Sequence, residues 1–279
     1  MFSLLMPQPA AIVKTRKTRT LLISDPHIGW ELELQQKGIH VPSQTGKILD
    51  KLIAVLVEVK PDALVVLGDV KYSVMTSEFS EWRDIPEFFK QLQPYVGKIS
   101  IVRGNHDANL EPLLPENVNM LPATGAVIGD VAVFHGHKWP SPELLGCKTI
   151  VMGHLHPVVV FRDPVGCRLT RQVWMRADID SEALARVLLR KANIKIRDTV
   201  EETLKNQFNL TLQTSELYIM PSFNDFLGGR PINECRSKEM GAEALIGPVL
   251  RSKAVNVGDS ELYLLDGTYL GTLNQLRNL

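Results

Sequence analysis

The chain has few cysteines and no excess of charge of either sign. Its three cysteines, Cys147, Cys167 and Cys235, are odd in number and widely spaced, which fits neither a disulfide framework nor a zinc ribbon built from cysteine pairs. We therefore expect a reducing, cytoplasmic compartment. The 31 basic and 31 acidic residues give a formal net charge of zero, which excludes a protein held on nucleic acid or anionic membrane by its overall electric field.

Long hydrophobic runs are also missing. The first six residues are mostly apolar, but prolines at positions 7 and 9 interrupt the run, and it is too short for the hydrophobic region of a signal peptide. We expect no export signal and no contact with a membrane. Apolar residues make up 44% of the chain, enough to bury one substantial core, so we predict a single domain over residues 1–279.

The sequence does contain histidines grouped with acidic and amide residues. Six of its seven histidines fall into four short motifs, and a Gly-Asp pair lies between the first two. The motifs are Asp25-Pro26-His27, Gly68-Asp69, Gly104-Asn105-His106-Asp107, His135-Gly136-His137 and Gly153-His154-Leu155-His156. Neutral imidazole together with carboxylate is a ligand set for borderline divalent metals. The sequence therefore predicts a metal centre, with Mn²⁺ favoured and Fe or Zn²⁺ as alternatives.

Short apolar runs rich in β-branched residues precede the first motifs, and amphipathic patterns separate them. These patterns predict strands over residues 20–23, 63–67 and 99–102 and helices over residues 43–59 and 77–95. Alternating strands and helices predict a parallel sheet whose carboxyl edge gathers the loops of a site. The first three motifs therefore lie at one predicted edge.

The second half of the chain predicts a more mixed sheet. Strands are predicted over residues 127–135, 149–160, 217–220, 254–257 and 261–265. Helices are predicted to begin at Asp180 or Ser181 and at Asp198 or Thr199, and we treat residues 175–212 as a helical insertion. Between residues 166 and 197, eight basic residues against three acidic ones give a net charge of +5. This stretch is either a track for a nucleic-acid backbone or a solvated helical face.

A hydrolytic centre with two metals needs two cations about 3.5–4 Å apart that share a ligand. Asp69 stands alone at a predicted strand end and has two oxygens for that role. Asp25 and His27 are two residues apart and can face the same side, where one imidazole of the last motif would join them. Asn105 offers a neutral carbonyl oxygen to the second cation.

The order of the motifs resembles the calcineurin-like metallophosphoesterases, whose signature runs D-x-H, G-D, G-N-H-D or G-N-H-E, H and G-H-x-H. The match covers about residues 20–157. The residues of the motifs, together with residues 217–233, are most similar to the microbial branch related to the SbcD-type DNA repair nuclease. The resemblance implies a four-layer α/β/β/α sandwich with the site between the loops of two sheets.

The resemblance also implies a role for each motif residue. The first metal would take Asp25, His27, Asp69 and His156, and the second Asp69, Asn105, His135 and His154. His106 would be a general acid or would orient the substrate, and Asp107 would position it. His137 and Arg103 are candidate substrate contacts; the alternatives are a hydrogen bond within a turn for His137 and a surface ion pair for Arg103. Trp139, Phe223 and Phe226 either stack on a base or pack in the core.

We therefore expect a phosphodiesterase or nuclease related to DNA repair, which hydrolyses nucleic-acid or nucleotide esters with a metal-activated water. One alternative is a small-molecule phosphatase or cyclic-nucleotide phosphodiesterase. Another is a non-catalytic, metal-stabilised binding subunit of a helicase or repair complex. A helicase or repair protein is a possible partner, and an oligomer is possible because the apolar helix after Ser181 could dock a second subunit.

Overall fold

One β-sheet contains the first three predicted strands. The computed structural model describes residues 1–74, 79–234 and 247–278, and six of the strands in these ranges form this sheet, in chain order. They are β1 (Phe2–Leu5), β2 (Ala10–Lys14), β3 (Arg19–Ile23), β4 (Ala63–Val66), β5 (Lys98–Val102) and β6 (Val118–Leu121). Strands β1 to β3 are antiparallel, and β3 to β6 are parallel. The predicted parallel sheet is confirmed.

Three helices connect the strands of this sheet. They are α1 (Glu31–Gln36), α2 (Thr45–Val59) and α3 (Phe79–Leu92). Helix α2 buries residues spaced three or four positions apart, among them Leu52 and Leu56, against the sheet, as its amphipathic pattern predicts. The predicted start of α3 at residue 77 lies outside the described residues.

The second sheet is mixed. Its strands are β7 (Ala126–Ile128), β8 (Val131–Phe134), β9 (Thr149–Met152), β10 (Pro157–Arg162), β11 (Arg168–Asp178), β12 (Glu216–Ile219), β13 (Arg230–Pro231), β14 (Glu261–Leu264) and β15 (Tyr269–Thr272). The order is β13-β10-β11-β12-β9-β8-β7, and β14 joins β11 and β15. Strands β8, β9 and β12 are parallel, so their carboxyl ends share one edge.

Three further helices belong to the second half of the chain: α4 (Ser181–Lys191), α5 (Val200–Phe208) and α6 (Leu273–Arg277). The Asp180 carboxylate caps α4 by accepting from the Ala183 N–H at 2.9 Å, and the Thr199 hydroxyl caps α5 by accepting from the Glu202 N–H at 3.1 Å. Satisfying these otherwise unpaired donors sets where each helix begins.

Alternation along the strands divides the interior into layers. Leu21 and Ile23 of β3 pack with α2 and α3, whereas Leu22 between them faces the second sheet. Likewise Phe134 of β8 packs toward α4, and Val133 faces the first sheet. Because successive side chains of a strand point to opposite faces, each sheet is covered on both sides. This four-layer α/β/β/α arrangement confirms the predicted fold class.

Several boundaries differ from the prediction. Residues 175–178 are not helical but continue β11, because the backbone of β11 pairs with both β12 and β14. The predicted strands over residues 127–135 and 149–160 are each divided in two, and residues 254–257 hold only an isolated bridge of Val255 to Ile179. The sequence did not predict β1, β2 or β6. Whether residues 175–212 are an insertion remains a prediction.

No helix in the described parts of the chain combines the length and the apolar character needed to cross a lipid bilayer.

The packing of α4 allows a test of the predicted single domain. Leu184 is fully buried in the core of the second sheet, so Leu184→Ala should lower the free energy of unfolding by about 2–5 kcal/mol. The exposed Arg190 on the same helix is the control, and Arg190→Ala should change it by less than about 0.5 kcal/mol. Urea unfolding followed by circular dichroism and tryptophan fluorescence should give coincident transitions. A separate early transition in Leu184→Ala would show that α4 unfolds on its own.

Candidate metal centre

The predicted ligands lie on loops that follow strand ends of both sheets. These loops come after β3, β4 and β5 in the first sheet and after β8 and β9 in the second. The loops carry, in that order, Asp25 and His27, Asp69, Asn105 and His106, His135 and His137, and His154 and His156. Since the carboxyl ends of parallel strands share an edge, the two sheets bring these residues to one place.

The first group of ligand atoms comes from Asp25, His27 and His156, whose donor atoms all lie within 4.8 Å of one another. The His156 Nε2 atom is 3.1 Å from Asp25 Oδ1, and the His27 Nε2 atom is 3.4 Å from His156 Nε2. His27 Nε2 is also 3.6 Å from Asp69 Oδ2. Nitrogen and oxygen donors from four residues therefore surround one point.

The second group consists of Asp69, His135 and His154. The His135 Nε2 atom lies 3.3 Å from Asp69 Oδ2 and 3.2 Å from Asn105 Oδ1. The Asp69 carboxylate thus contacts imidazoles of both groups. This is the arrangement required of a ligand shared by two cations.

Strained backbone is concentrated at this centre. Five of the nine non-glycine residues with positive φ in the described chain belong to it: Asp25, His27, Asp69, His154 and His156, with φ between 42° and 68°. Such left-handed conformations are costly for residues with a Cβ and persist where the surrounding structure over-determines them. The loops are therefore held in shapes that point their side chains at a common centre.

Two motif glycines are required by close backbone approach. A Cβ atom at Gly104 would overlap the carboxylate of Asp69, and a Cβ atom at Gly153 would overlap the side chains of Ser24 and Asp25. The absence of a side chain at these positions lets four loops meet around the carboxylates.

Burial and charge set the protonation of the ligands. Burial lowers the pKa of His27 to about 3, and burial together with the charge of His135 lowers the pKa of His154 to about 3. Burial alone would raise the pKa of Asp25, but the charges of His156 and His135 lower it to about 2. Neutral imidazoles beside ionised carboxylates are the protonation states that metal binding requires.

His135 is held by its other ring nitrogen. Its Nδ1 atom donates to the carbonyl oxygen of Leu67 at 2.6 Å, which fixes the ring with Nε2 towards Asp69. Burial lowers the pKa of His135, but the negative charge of Asp69 outweighs this effect and raises it to about 9. Either a proton on His135 or a bound metal ion can therefore compensate the negative charge of Asp69.

The residues present fit divalent metal ions. Asp25 Oδ1 is buried and, among the described residues, accepts no hydrogen bond of good geometry, although the His156 Nε2 atom lies 3.1 Å away. His27 Nδ1 is likewise a buried ring nitrogen without a partner among these residues. An ionised buried oxygen without a donor is costly unless a cation compensates it. Carboxylate, imidazole and amide donors without thiolate suit divalent metals.

A loop from the far end of the chain supports the first ligand loop. The Ser222 hydroxyl donates to the Asp25 carbonyl oxygen at 2.7 Å, and the Asn224 side-chain amide donates to the Pro26 carbonyl oxygen at 3.0 Å. The Ser24 hydroxyl donates to Asp25 Oδ2 at 2.5 Å. Sequence reasoning did not identify these residues; the only available signal was a Ser-Phe-Asn segment directly after a predicted strand.

The observed contacts of Asp107 are with backbone N–H groups, and its predicted role in positioning His106 remains a prediction. Both of its carboxylate oxygens accept hydrogen bonds from backbone N–H groups, at 2.9 Å from Asp69, 2.8 Å from Val70 and 2.7 Å from Gly104. The His106 Nδ1 atom instead contacts the carbonyl oxygen of Tyr72. Asp107 therefore fixes the Asp69 loop, and the ring of His106 contacts Tyr72.

The two candidate substrate contacts lie beside the centre. His137 is half-buried, with its ring centroid 5.3 Å from that of His135. Arg103 forms an ion pair with Glu111 at the surface, which agrees with the surface alternative. Among the candidate stacking residues, Phe223 is fully buried in the core of the first sheet, and Phe226 stacks on Trp30 with ring centroids 5.8 Å apart.

A cavity of about 430 Å³ opens above the centre. His27, Asp69, Asn105 and His106 line it together with Leu227 and Arg230. Arg230 was not predicted as a site residue. It lies in the cavity lining because β13 pairs with β10 directly after the last histidine motif.

The basic stretch between residues 166 and 197 is not one helical face. Arg168 and Arg176 lie on β11, and Arg186 lies on α4. Each is in an ion pair: Arg168 with Glu234, Arg176 with Glu216 and Glu261, and Arg186 with Glu182. These pairs neutralise part of the positive charge that the sequence suggested for a continuous track.

Comparison with known proteins identifies a family. Residues 18–181 match the family model described as calcineurin-like phosphoesterase. No curated protein matches the chain.

Three solved structures are similar to this chain. The Pseudomonas putida nuclease MPE has 18% identity and a TM-score of 0.49, with 95% of this chain and 98% of that chain covered. YfcE, a phosphoesterase from E. coli, has 18% identity and a TM-score of 0.33, with 52% and 73% covered. AQ665 from Aquifex aeolicus has 22% identity and a TM-score of 0.35, with 53% and 82% covered.

Replacing Asp107 separates its observed contacts from its predicted role. Asparagine has one acceptor oxygen and would turn an NH₂ group towards backbone donors, so Asp107→Asn should lower the free energy of unfolding by about 1.5–3 kcal/mol. Because the Asp69 loop would shift, Mn²⁺ affinity measured by calorimetry should fall about 10- to 100-fold. Normal stability and Mn²⁺ affinity with loss of turnover alone would instead restore the predicted role, the orientation of His106.

Proposed function

The chain belongs to the calcineurin-like phosphoesterase family and is a metal-dependent hydrolase; on this premise we propose that it is a dinuclear phosphodiesterase acting on nucleic-acid or nucleotide phosphodiester bonds. The observation that carries the proposal is the position of the Asp69 carboxylate, within 3.6 Å of His27 in one ligand group and within 3.3 Å of His135 in the other. One carboxylate can then serve two cations.

We assign the ligands as follows. The first cation takes Asp25, His27, Asp69 and His156, and the second takes Asp69, Asn105, His135 and His154. The distances within each group and the lowered pKa values of His27 and His154 support this assignment. The mixture of oxygen and imidazole donors favours Mn²⁺, with Fe or Zn²⁺ as alternatives.

Bound divalent cations would polarise the phosphate and lower the pKa of a water molecule that attacks phosphorus. The chain's own contribution is to keep Asp25 and Asp69 ionised, and to present Asp69 in a cavity large enough for a phosphate ester and its substituents. Leu155 and Leu227 line the same cavity and reduce its access to bulk water.

We assign His106 the role of general acid. Its Nδ1–H group donates to the Tyr72 carbonyl oxygen, which directs Nε2 towards the cavity, 4.0 Å from Asp69 Oδ2. The ring is partly exposed there, so Nε2 can deliver a proton to the leaving oxygen of a substrate.

Nucleic acid as the substrate class, and a link to DNA repair with a helicase or repair partner, are proposed from the resemblance of the motifs and residues 217–233 to the SbcD-related branch. A cytoplasmic setting is in keeping with Cys147 and Cys167, both of which are free thiols. The 430 Å³ cavity alone favours a rival, a phosphatase or cyclic-nucleotide phosphodiesterase for small esters. A non-catalytic subunit is disfavoured, because His106 lies beside a complete set of ligands.

The role of His106 is tested by its removal. With Mn²⁺, the protein should hydrolyse a bis-aryl phosphate, and His106→Ala should lower kcat by about 10²- to 10⁴-fold while metal content stays nearly unchanged. His40→Ala, at an exposed position outside every motif, is the matched control and should keep full activity. Loss of metal from His106→Ala, measured by mass spectrometry of the purified protein, would make His106 a ligand beside His27 and Asp69.

The substrate class is tested with a panel of single-stranded DNA, duplex DNA, RNA, cyclic nucleotides and aryl phosphates. Each is incubated with Mn²⁺, with Mg²⁺ and with a chelator. We expect cleavage of at least one nucleic acid with Mn²⁺ and none with the chelator. If only cyclic nucleotides or aryl esters are cleaved, the nucleic-acid part of the proposal is wrong and the small-ester alternative replaces it.

A further inference from the structure

A second, larger cavity adjoins the metal centre. It has a volume of about 880 Å³ and is formed by the turn after β8, the last turn of α4 and residues 248–252. None of the residues that line it is a predicted metal ligand.

His137 connects the two cavities. Its side chain lines the larger cavity, and its ring centroid lies 5.3 Å from that of His135 and 6.1 Å from that of His154, two residues we assign to the second cation. The larger cavity therefore begins one imidazole away from the metal centre. A chain-like substrate bound at the centre could continue directly into it.

The cavity is lined by cations. Lys138, Lys191 and Arg251 come from its three different segments, and all three side chains are exposed. Among the lining residues within the described ranges there is no aspartate or glutamate. Within residues 1–74, 79–234 and 247–278, none of the three cations forms an ion pair, in contrast to Arg168, Arg176 and Arg186 nearby in sequence. Unpaired positive charge from three segments thus converges on one concave surface.

An aromatic ring lies among these cations. Trp139 lines the cavity beside Pro140, and one side of its indole packs on the core of the second sheet, which holds the ring in place. The His137 Nδ1 atom is buried and has no partner within the described residues. A fixed aromatic surface between exposed cations is the combination that binds single-stranded nucleic acid.

We propose that this cavity binds a single-stranded nucleic-acid segment next to the scissile bond, with backbone phosphates on Lys138, Lys191 and Arg251 and a base against Trp139. This inference rests on the proposed function and names the form of its substrate. A duplex fits the observations less well, because its bases are stacked on one another and cannot reach a ring inside a cavity. The described part of the lining carries three cations and no acidic residue, which favours an anionic ligand over a basic peptide.

The test is equilibrium binding of a fluorescent oligothymidylate of about 12 nucleotides, followed by anisotropy in the presence of chelator so that no cleavage occurs. The cavity variant is Lys138→Gln, Lys191→Gln and Arg251→Gln together. The control carries the same change in charge at Lys14, Lys17 and Lys98, which are exposed at the opposite end of the first sheet from the metal centre.

Each phosphate contact with a single strand contributes about 0.7 to the slope of log affinity against log salt. Loss of three contacts should therefore reduce the slope by about 2 and weaken binding at low salt more than tenfold, whereas the control should keep most of the wild-type slope. With Mn²⁺, the cavity variant should retain bis-aryl phosphate hydrolysis and lose oligonucleotide cleavage through a raised KM. Equal slopes for the cavity variant and the control would overturn the inference.

The two proposals fail in different ways. If wild-type protein cleaves oligonucleotides and the cavity variant cleaves them equally well, the function stands and this cavity is not the binding site. If the oligonucleotide binds through the three cations but is never cleaved with Mn²⁺, the cavity assignment stands and the nuclease function is wrong.

Trp139 is tested separately from the charges. Trp139→Ala should weaken oligothymidylate binding about tenfold without changing the salt slope, and Trp139→Phe should restore most of the affinity, because phenylalanine also stacks on bases. Equal affinity of Trp139→Ala and wild type would remove the base-stacking part of the inference. The phenylalanine variant also controls for folding, since the indole packs on the core.

Discussion

The contacts of one buried carboxylate join the two halves of this fold. Asp69 Oδ2 lies near His27 from the first sheet and His135 from the second, and its Oδ1 accepts the backbone N–H of His106 at 2.8 Å. Its own N–H donates to Asp107. In a dry interior such a carboxylate needs compensating positive charge, which protonated His135 or bound cations supply. The two sheets meet at this edge because both contribute groups to the same negative charge.

The geometry of the centre depends on backbone conformations that are unfavourable in free energy. Left-handed conformations at Asp25, His27 and Asp69 would relax if the loops were free. Pairing holds them: the N–H of Asp25 donates to Gly68, and that of His27 donates to Asp69. The loop of Ser222 and Asn224 adds bonds from the far end of the chain. The hydrophobic layers on both faces of each sheet offset the local strain, which leaves the ligands preorganised for metal.

The sequence predicted that the motif residues would lie together, because each motif follows an apolar strand and parallel strands bring such motifs to one edge; their roles as ligands remain a prediction. It predicted hydrogen-bond partners poorly. Asp107 follows His106 in the chain, yet its carboxylate turns to the Asp69 loop, while a backbone carbonyl at Tyr72 orients the imidazole. Carbonyl groups carry no sequence signature, and adjacency in the chain does not fix side-chain direction. The sequence did not predict the short strands β1, β2 and β6 for a similar reason, since they form by pairing with neighbouring strands.

The residues after strand ends and the residues on turns have different roles in this fold. Proposed metal ligands such as Asp69 and His154 lie within three residues of strands whose pairing fixes them, so a shift in one would break contacts with several others. Lys191 and Arg251 project instead from a helix end and a turn that hold no ligand. Changes there leave the carboxylate and imidazole network intact, because no hydrogen bond of the centre passes through those segments within the described residues. The surface that selects the substrate can therefore vary while the hydrolytic centre stays the same.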